Sequence, residues 1–273
     1  MWVVRRGTPR SGRALIGLAA GILGLAALIA ASSAPARADL VVGIHEGVPW
    51  PIVPPPIALP IPRPPPRAGV QPPPAPAGGA RVLEVLEQVR ARLRQTRYQH
   101  ATVVREREGL FFWDCSGMAA WVLRRAAPHA MRAITRGRPV ARDFARVIAR
   151  APPRRPRAGW QRIERVEDAR PGDVFAWRRP RGFPSRNTGH VGFVVEAPIP
   201  VPAISGAWAV RIADSTSWGH EDDTRPNDGV GGFGLGTLVF LTDAMGRGTH
   251  YGWAGTRSEG YVVTPIVFGR VVR

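Results

Sequence analysis

The sequence has one cysteine, Cys115, and no lysine. A single thiol excludes an internal disulfide framework and any metal centre built from several thiolates, so we expect neither a metal nor another cofactor. All 38 basic residues are arginine, against 20 acidic residues, and the formal net charge is +18. Arginine without lysine, beside 31 Gly and 29 Pro, indicates a biased composition, so the charge alone predicts no nucleic-acid partner.

The first 38 residues have the pattern of an export signal. Arginines precede an uncharged run over residues 14–36, and Ala36-Arg37-Ala38 has the small residues of a secretory cleavage site. We therefore predict a signal peptide over residues 1–38 and export to the periplasm or the extracellular space. The alternative is an uncleaved membrane anchor, since about 20 apolar residues span a bilayer. The remaining chain keeps 33 basic against 20 acidic residues, which would favour anionic envelope polymers as partners.

Residues 39–79 are predicted to be a Pro-rich disordered linker. Fourteen of the 28 positions from Pro49 to Pro76 are proline, which removes backbone donors and restricts φ. This composition favours polyproline II or disorder, and a spacer is its commonest use. Gly78-Gly79 is expected to close the linker, so the folded domain is predicted over residues 80–273.

Within that domain, helical periodicity is followed by strand periodicity. Apolar spacing predicts helices over residues 80–97, 115–127 and 140–150. Short β-rich runs follow at 159–166, 174–177, 189–195, 207–213, 235–241 and 261–268. Glycine-rich residues 229–236 are expected to form a flexible loop. Helices followed by strands without long crossover helices predict an α+β fold, with N-terminal helices packed on an antiparallel sheet.

The thiol lies in a sequence context that suits a nucleophile. Cys115 falls where the second helix is expected to begin, and free backbone N–H groups at a helix start stabilise a thiolate. Asp114 is expected to cap this helix. The alternative is a buried structural cysteine that packs as a small hydrophobe.

A thiol nucleophile needs a base, and His190 is the best candidate among the six histidines. It begins a predicted strand in the run Thr188-Gly189-His190-Val191-Gly192, where a rigid element would hold the imidazole. The alternative is a histidine that merely occupies the end of a strand.

Three ordered segments together resemble the NlpC-type cysteine peptidases, papain-like enzymes that cleave cell-wall peptides. They are Asp114-Cys115-Ser116-Gly117, Arg170-Pro171-Gly172-Asp173-Val174-Phe175 and Gly189-His190-Val191-Gly192-Phe193. The resemblance covers residues 98–214. It implies a Cys115 nucleophile, a His190 base and a third polar residue on the next strand, which is Asp214 here, where the family more often has His, Asn or Gln.

Physical chemistry suits Asp214 to this role as well. An acceptor beside the base would take the Nδ1 proton of His190, fix the tautomer and leave the other nitrogen for the thiol. Asp214 also has the sequence context of a simple turn, and either His220 or Glu196 is an alternative third residue.

The chain departs from the family pattern before the cysteine. Tyr98 and His100 lie near the position of the family tyrosine, but the charged segment Thr102 to Gly109 replaces a Gly-rich stretch. Trp208, Trp218 and Trp253 are candidates for lining a cleft, although tryptophan more often packs in a core or at its rim.

These observations predict an exported cysteine amidase or endopeptidase that cleaves the stem peptides of peptidoglycan. The expected partners are peptidoglycan or its peptide fragments. One alternative keeps the fold and catalytic pair in an amidase, acyltransferase or thioesterase for a small or lipidic substrate. The other is a non-catalytic envelope-binding module.

Overall fold

The computed structural model describes residues 75–226 and 228–272, together with the two-residue strands β1 (Ile44–His45) and β2 (Val48–Pro49). The predicted signal segment and the rest of the Pro-rich segment before residue 75 lie outside the described residues. The helices are α1 (Ala77–Arg92), α2 (Cys115–Ala126), α3 (Pro128–Arg132) and α4 (Ala141–Arg150). None of the helices in the described part is long and apolar enough to cross a membrane.

The strands form two sheets besides the β1–β2 pair. A small sheet has the order β3-β5-β4, and a larger one has the order β13-β12-β11-β10-β8-β7-β14-β6, with β9 paired to β10. Their bounds are β3 (Gln95–Tyr98), β4 (Val103–Arg105), β5 (Leu110–Trp113), β6 (Trp160–Ile163), β7 (Val174–Arg178), β8 (Gly189–Val194), β9 (Ile199–Pro200), β10 (Ala207–Thr216), β11 (Gly232–Thr242), β12 (Gly248–Gly252), β13 (Val262–Val263) and β14 (Ile266–Val271).

The predicted α+β class is confirmed. Every pairing in the large sheet is antiparallel, and α2 and α4 pack against its central strands. The predicted second and third helices match α2 and α4 within a residue. The first helix ends earlier than expected, because residues 95–98 leave it to form β3, which pairs in parallel with β5.

The two glycines expected to close the linker instead lie in the first turn of α1. A Cβ on Gly79 would come within 2.7 Å of the Pro171 carbonyl oxygen. Gly172, in the turn before β7, has φ of +88°, and a Cβ on it would come within 2.3 Å of the Gly79 backbone. These glycines let the helix approach the turn closely, so they serve packing and not chain flexibility.

Two apolar clusters lie on opposite faces of the large sheet. One joins α1, α2 and α4 to inward side chains such as Val174, Val191 and Phe193. The other is rich in aromatic residues and includes Phe175, Trp177 and Phe240. Because side chains alternate along a strand, adjacent residues of β7 and β8 contribute to different clusters. The candidate site lies where helices and sheet meet.

Candidate active site

Cys115 is the first residue of α2, and its neighbour Asp114 caps the helix as predicted. The Asp114 Oδ1 atom accepts hydrogen bonds from the Gly117 N–H at 2.7 Å and from the Ser116 hydroxyl at 2.8 Å. Its Oδ2 atom lies 3.2 Å from Nδ1 of His100. The cap fixes where the helix begins, and therefore where the thiol lies.

The expectation of a stabilised thiolate is wrong for this structure. Burial, followed by the negative charge of Asp114, raises the pKa of Cys115 above its ordinary value. The backbone N–H groups of Val191 and Ser116 favour the thiolate but do not outweigh these effects. At neutral pH the resting sulfur therefore carries its proton.

Val191 also shows where the thiol meets the sheet. It follows His190 in β8, and α2 packs against this strand. Val191 belongs to the apolar cluster beneath α2, whereas the His190 ring has Phe175, Trp177 and Trp253 as aromatic neighbours. The thiol thus reaches β8 at the backbone beside the predicted base.

His190 and Asp214 are joined directly. The Nε2 atom of His190 lies 2.6 Å from Oδ2 of Asp214, and both side chains are buried. A carboxylate only accepts, so Nε2 donates and Nδ1 of the neutral ring is left without a proton. The prediction that Nδ1 would donate to the third residue is wrong, because the carboxylate meets the opposite edge of the imidazole.

His190 is held as a neutral imidazole. Burial lowers the pKa of His190, and the hydrogen bond and negative charge of Asp214 offset only part of this effect. The positive charges of His220 and Arg225 lower the pKa further. A neutral ring with a free Nδ1 has the form required of a general base.

Asp214 is bonded to more than His190. Its Oδ2 atom lies 2.9 Å from Nε2 of His220, and its Oδ1 atom accepts from the Arg225 guanidinium. Arg225 also pairs with Asp223 and donates through Nε to the Gly232 carbonyl at 2.7 Å. We call these five side chains the Asp214 cluster, which consists of His190, Asp214, His220, Asp223 and Arg225.

The cluster determines how Asp214 titrates. Burial alone would raise the pKa of this carboxyl, but Arg225, His220 and His190 together hold it well below its usual range. Asp214 therefore stays ionised at neutral pH despite having no solvent exposure.

The glycine-rich segment of β11 makes room for the cluster. Residues 232–236 are paired with β10 and do not form the flexible loop that was expected. A Cβ on Gly236 would lie 2.6 Å from Cβ of His220, and Gly234 likewise faces the Arg225 side chain. The glycine pattern is the one sequence signal for this part of the site, and its meaning depends on the partner strand.

The three candidates for the third residue, Asp214, His220 and Glu196, differ in whether they contact His190. Asp214 contacts His190 directly, and His220 reaches it only through Asp214. Glu196 is exposed beyond the far end of β8, about 20 Å along the strand from His190 at about 3.3 Å per residue. The sequence did not indicate Arg225 and Asp223 as part of the site, since both lie in a loop without a recognisable motif.

Two aromatic residues complete the surroundings. Trp253 lies with its ring centroid 5.2 Å from that of His190 and 4.4 Å from that of His220. Tyr98 lies near the thiol. Burial raises the pKa of its hydroxyl, and the negative charge that Cys115 acquires on ionisation would raise it further. Trp208 and Trp218 were the other tryptophans predicted as candidates for lining a cleft. Trp208 packs against the aromatic-rich cluster, and Trp218 is exposed.

Within residues 75–226 and 228–272, no group of three or more His, Cys, Asp or Glu side chains is arranged to hold a metal ion. In the Asp214 cluster, the imidazoles of His190 and His220 are each bonded to the Asp214 carboxylate, which also accepts from Arg225.

Comparison with known proteins found no matching family model, no matching curated protein and no matching solved structure.

Proposed function

We propose that this protein is an exported cysteine amidase of the papain-like NlpC type, acting on the stem peptides of peptidoglycan. The observation that carries the proposal is the buried hydrogen bond between His190 and Asp214, in a strand where the next residue, Val191, donates its backbone N–H to the Cys115 sulfur. The three ordered motifs of the sequence supply the substrate class.

The proposed reaction starts from a neutral thiol and a neutral imidazole. Nδ1 of His190 accepts the Cys115 proton as sulfur attacks the amide carbonyl carbon, and the new imidazolium then protonates the leaving amine. The acyl-enzyme thioester is hydrolysed by water, with His190 again acting as base. Asp214 accepts from Nε2 throughout and stabilises the imidazolium when it forms.

A cleft at the β6–β14 side of the sheet supports an anionic partner. Its volume is about 560 Å³, and guanidinium groups outnumber carboxylates along it. The charged residues that line it are Arg162, Arg165, Arg170, Arg247, Arg270, Glu164 and Asp168. Co-sedimentation with whole peptidoglycan at increasing salt concentration tests this, because contacts between exposed charges weaken as salt screens them.

One observation favours the second candidate, a non-catalytic envelope-binding module. Cys115 is only 6% exposed and its pKa is raised, as expected of a structural thiol. Reactivity of the thiol therefore separates the two functions.

The test is to incubate the full chain and its Cys115→Ala variant with whole peptidoglycan and soluble muropeptides, and to analyse products by mass spectrometry. We expect new free amino groups with the wild type alone. His190→Gln should abolish cleavage, whereas the matched substitution of exposed His129 should leave it unchanged.

The remaining outcomes discriminate among the alternatives. A thiol that reacts with iodoacetamide in the wild type, and more slowly in His190→Gln, would support an active site whose substrate is a different small or lipidic molecule if no cell-wall product forms. An inert thiol without products would support the binding module.

A further inference from the structure

Among residues 75–226 and 228–272, the ring nitrogens of His220 have two acceptors and no donor as neighbours. Its Nε2 atom lies 2.9 Å from the Asp214 carboxylate, and its Nδ1 atom lies 3.0 Å from the carbonyl oxygen of Trp253. Neither a carboxylate nor a carbonyl can donate, so each contact is a hydrogen bond only if that nitrogen carries a proton. Both bonds together require an imidazolium.

We propose that His220 is a positioning residue that carries a proton on each ring nitrogen, and that the resulting positive charge keeps His190 in the neutral form with its proton on Nε2. The consequence for catalysis rests on the function proposed above, whereas the proton positions do not.

Charge balance within the Asp214 cluster supports this assignment. Asp214 and Asp223 are negative, while Arg225 and the His220 imidazolium are positive, so the cluster is neutral when His190 is neutral. The side chain of His220 has no solvent exposure and that of Arg225 is 2% exposed, so an unbalanced charge here would be costly. A proton on resting His190 would leave the buried cluster with a net positive charge.

The surrounding groups come from several elements. From β8 and β10 His220 is faced by His190 and Asp214, and from its own loop by Asp223, whose Oδ2 accepts from the His220 backbone N–H at 2.7 Å. β11 contributes Gly236, which has no charge, and the segment after β12 contributes the Trp253 carbonyl. Two more groups interact with Asp214 and not with His220 directly. Arg225 bonds to the Asp214 carboxylate, and the charge of Asp214 raises the pKa of the Cys115 thiol on α2.

The arrangement explains why a buried histidine beside an ionised carboxylate is not itself charged. The Nε2 atoms of His190 and His220 lie at most about 5.5 Å apart, because both are bonded to Oδ2 of Asp214. Two imidazolium ions at this separation repel each other. His190 can accept its second proton most readily when the attack on substrate creates a nearby negative charge.

The direct test is ¹⁵N NMR of the full-length chain, labelled at the histidine ring nitrogens. At neutral pH we expect both nitrogens of His220 to carry protons, and His190 to be neutral with its proton on Nε2. In Asp214→Asn, His220 should become neutral, because it loses its anionic partner. An unprotonated ring nitrogen on His220 in the wild type would overturn the proposal, whether or not any variant folds.

The second test measures how the rate of Cys115 alkylation by iodoacetamide depends on pH. In His220→Gln the acid limb, which reports protonation of His190, should move up by about one to two pH units. His129→Gln is the matched control and should leave the limb in place. An unshifted limb in folded His220→Gln would overturn the coupling between the two histidines.

These readouts separate the two proposals. The expected proton positions and pH shift without any cell-wall cleavage would contradict the proposed substrate and leave the role of His220 supported. Cleavage of peptidoglycan by a protein in which His220 is neutral would support the proposed substrate and contradict the proposed role of His220.

Discussion

Two aspartates, Asp214 and Asp173, are fully buried and each is paired with an arginine, yet their pKa values move in opposite directions. Asp173 lies in the turn before β7. Its oxygens accept from Nε and a terminal nitrogen of Arg270 at 3.0 and 2.8 Å, and from the Arg170 backbone N–H at 2.8 Å. Burial raises the pKa of Asp173, and Arg270 offsets only part of this effect.

The difference lies in the number of donors and positive charges around each carboxylate. Asp214 accepts from Arg225, His220 and His190, whereas Asp173 has one guanidinium and one backbone donor. Burial alone therefore does not predict how a carboxylate titrates. Asp173 ties the turn to β14, while Asp214 maintains a stable negative charge beside the predicted base.

The largest expected contrast is in turnover. In the proposed reaction, Asp214→Asn removes the charge that stabilises the His190 imidazolium, so we expect kcat/KM on muropeptides, the proposed substrates, to fall by a factor on the order of 10² to 10⁴. Asp173→Asn should leave turnover per folded molecule unchanged, because it lies in a structural turn. Equal losses in the two variants would show that both act only through stability.

The two arginine partners should differ in their contribution to stability. Arg225→Met leaves the buried Asp214 and the half-buried Asp223 without their guanidinium, and we expect a loss of about 3–5 kcal/mol in the free energy of unfolding. Arg270→Met should cost about 1.5–3 kcal/mol, since Asp173 can take up a proton. Urea denaturation at neutral pH measures both values, and a larger loss for Arg270→Met would contradict the comparison.

The smallest and most specific contrast is in how stability depends on pH. The depressed pKa of Asp214 contributes stability that is fully present when the pH is above the ordinary, unfolded-state pKa of the carboxyl. This stability is lost as the pH falls through the folded-state pKa. The raised pKa of Asp173 favours the protonated folded form, so its contribution is lost as pH rises from the ordinary value through the folded-state pKa.

The two asparagine variants should therefore diverge on titration. The destabilisation caused by Asp214→Asn should grow from acid towards neutral pH, while that caused by Asp173→Asn should shrink. Each slope reaches at most about 1.4 kcal/mol per pH unit. Denaturation midpoints measured between about pH 3 and pH 7 give both slopes, and slopes of the same sign would refute the opposite shifts.

The features that could be predicted depend on short stretches of chain. The start of α2 at Cys115 follows from Asp114 and the apolar spacing after it, because a cap reaches only two or three residues along the chain. The α+β class follows from the change of periodicity, since each period reflects local backbone geometry. The boundary of α1 was less predictable, because Gly78 and Gly79 pack closely against Val271 and the turn before β7, which are distant in sequence.

The electrostatics of the site could not be predicted in the same way. The position of Cys115 at a helix start predicts a stabilised thiolate. In the structure, however, burial raises the pKa of this thiol, and so do the negative charges of Asp114 and Asp214, which are far apart in sequence. The nitrogen of His190 that meets Asp214 depends on how β8 and β10 are aligned, which no local pattern encodes.

Local capping and periodicity were enough to predict the helix start that carries Cys115, the strand that carries His190 and the order of helices before strands. The sharing of Asp214 by His190, His220 and Arg225, and the room that glycines of β11 leave for them, depend instead on how distant strands pair. Pairing between distant strands sets which charges are buried together, and charges buried together determine where the protons lie.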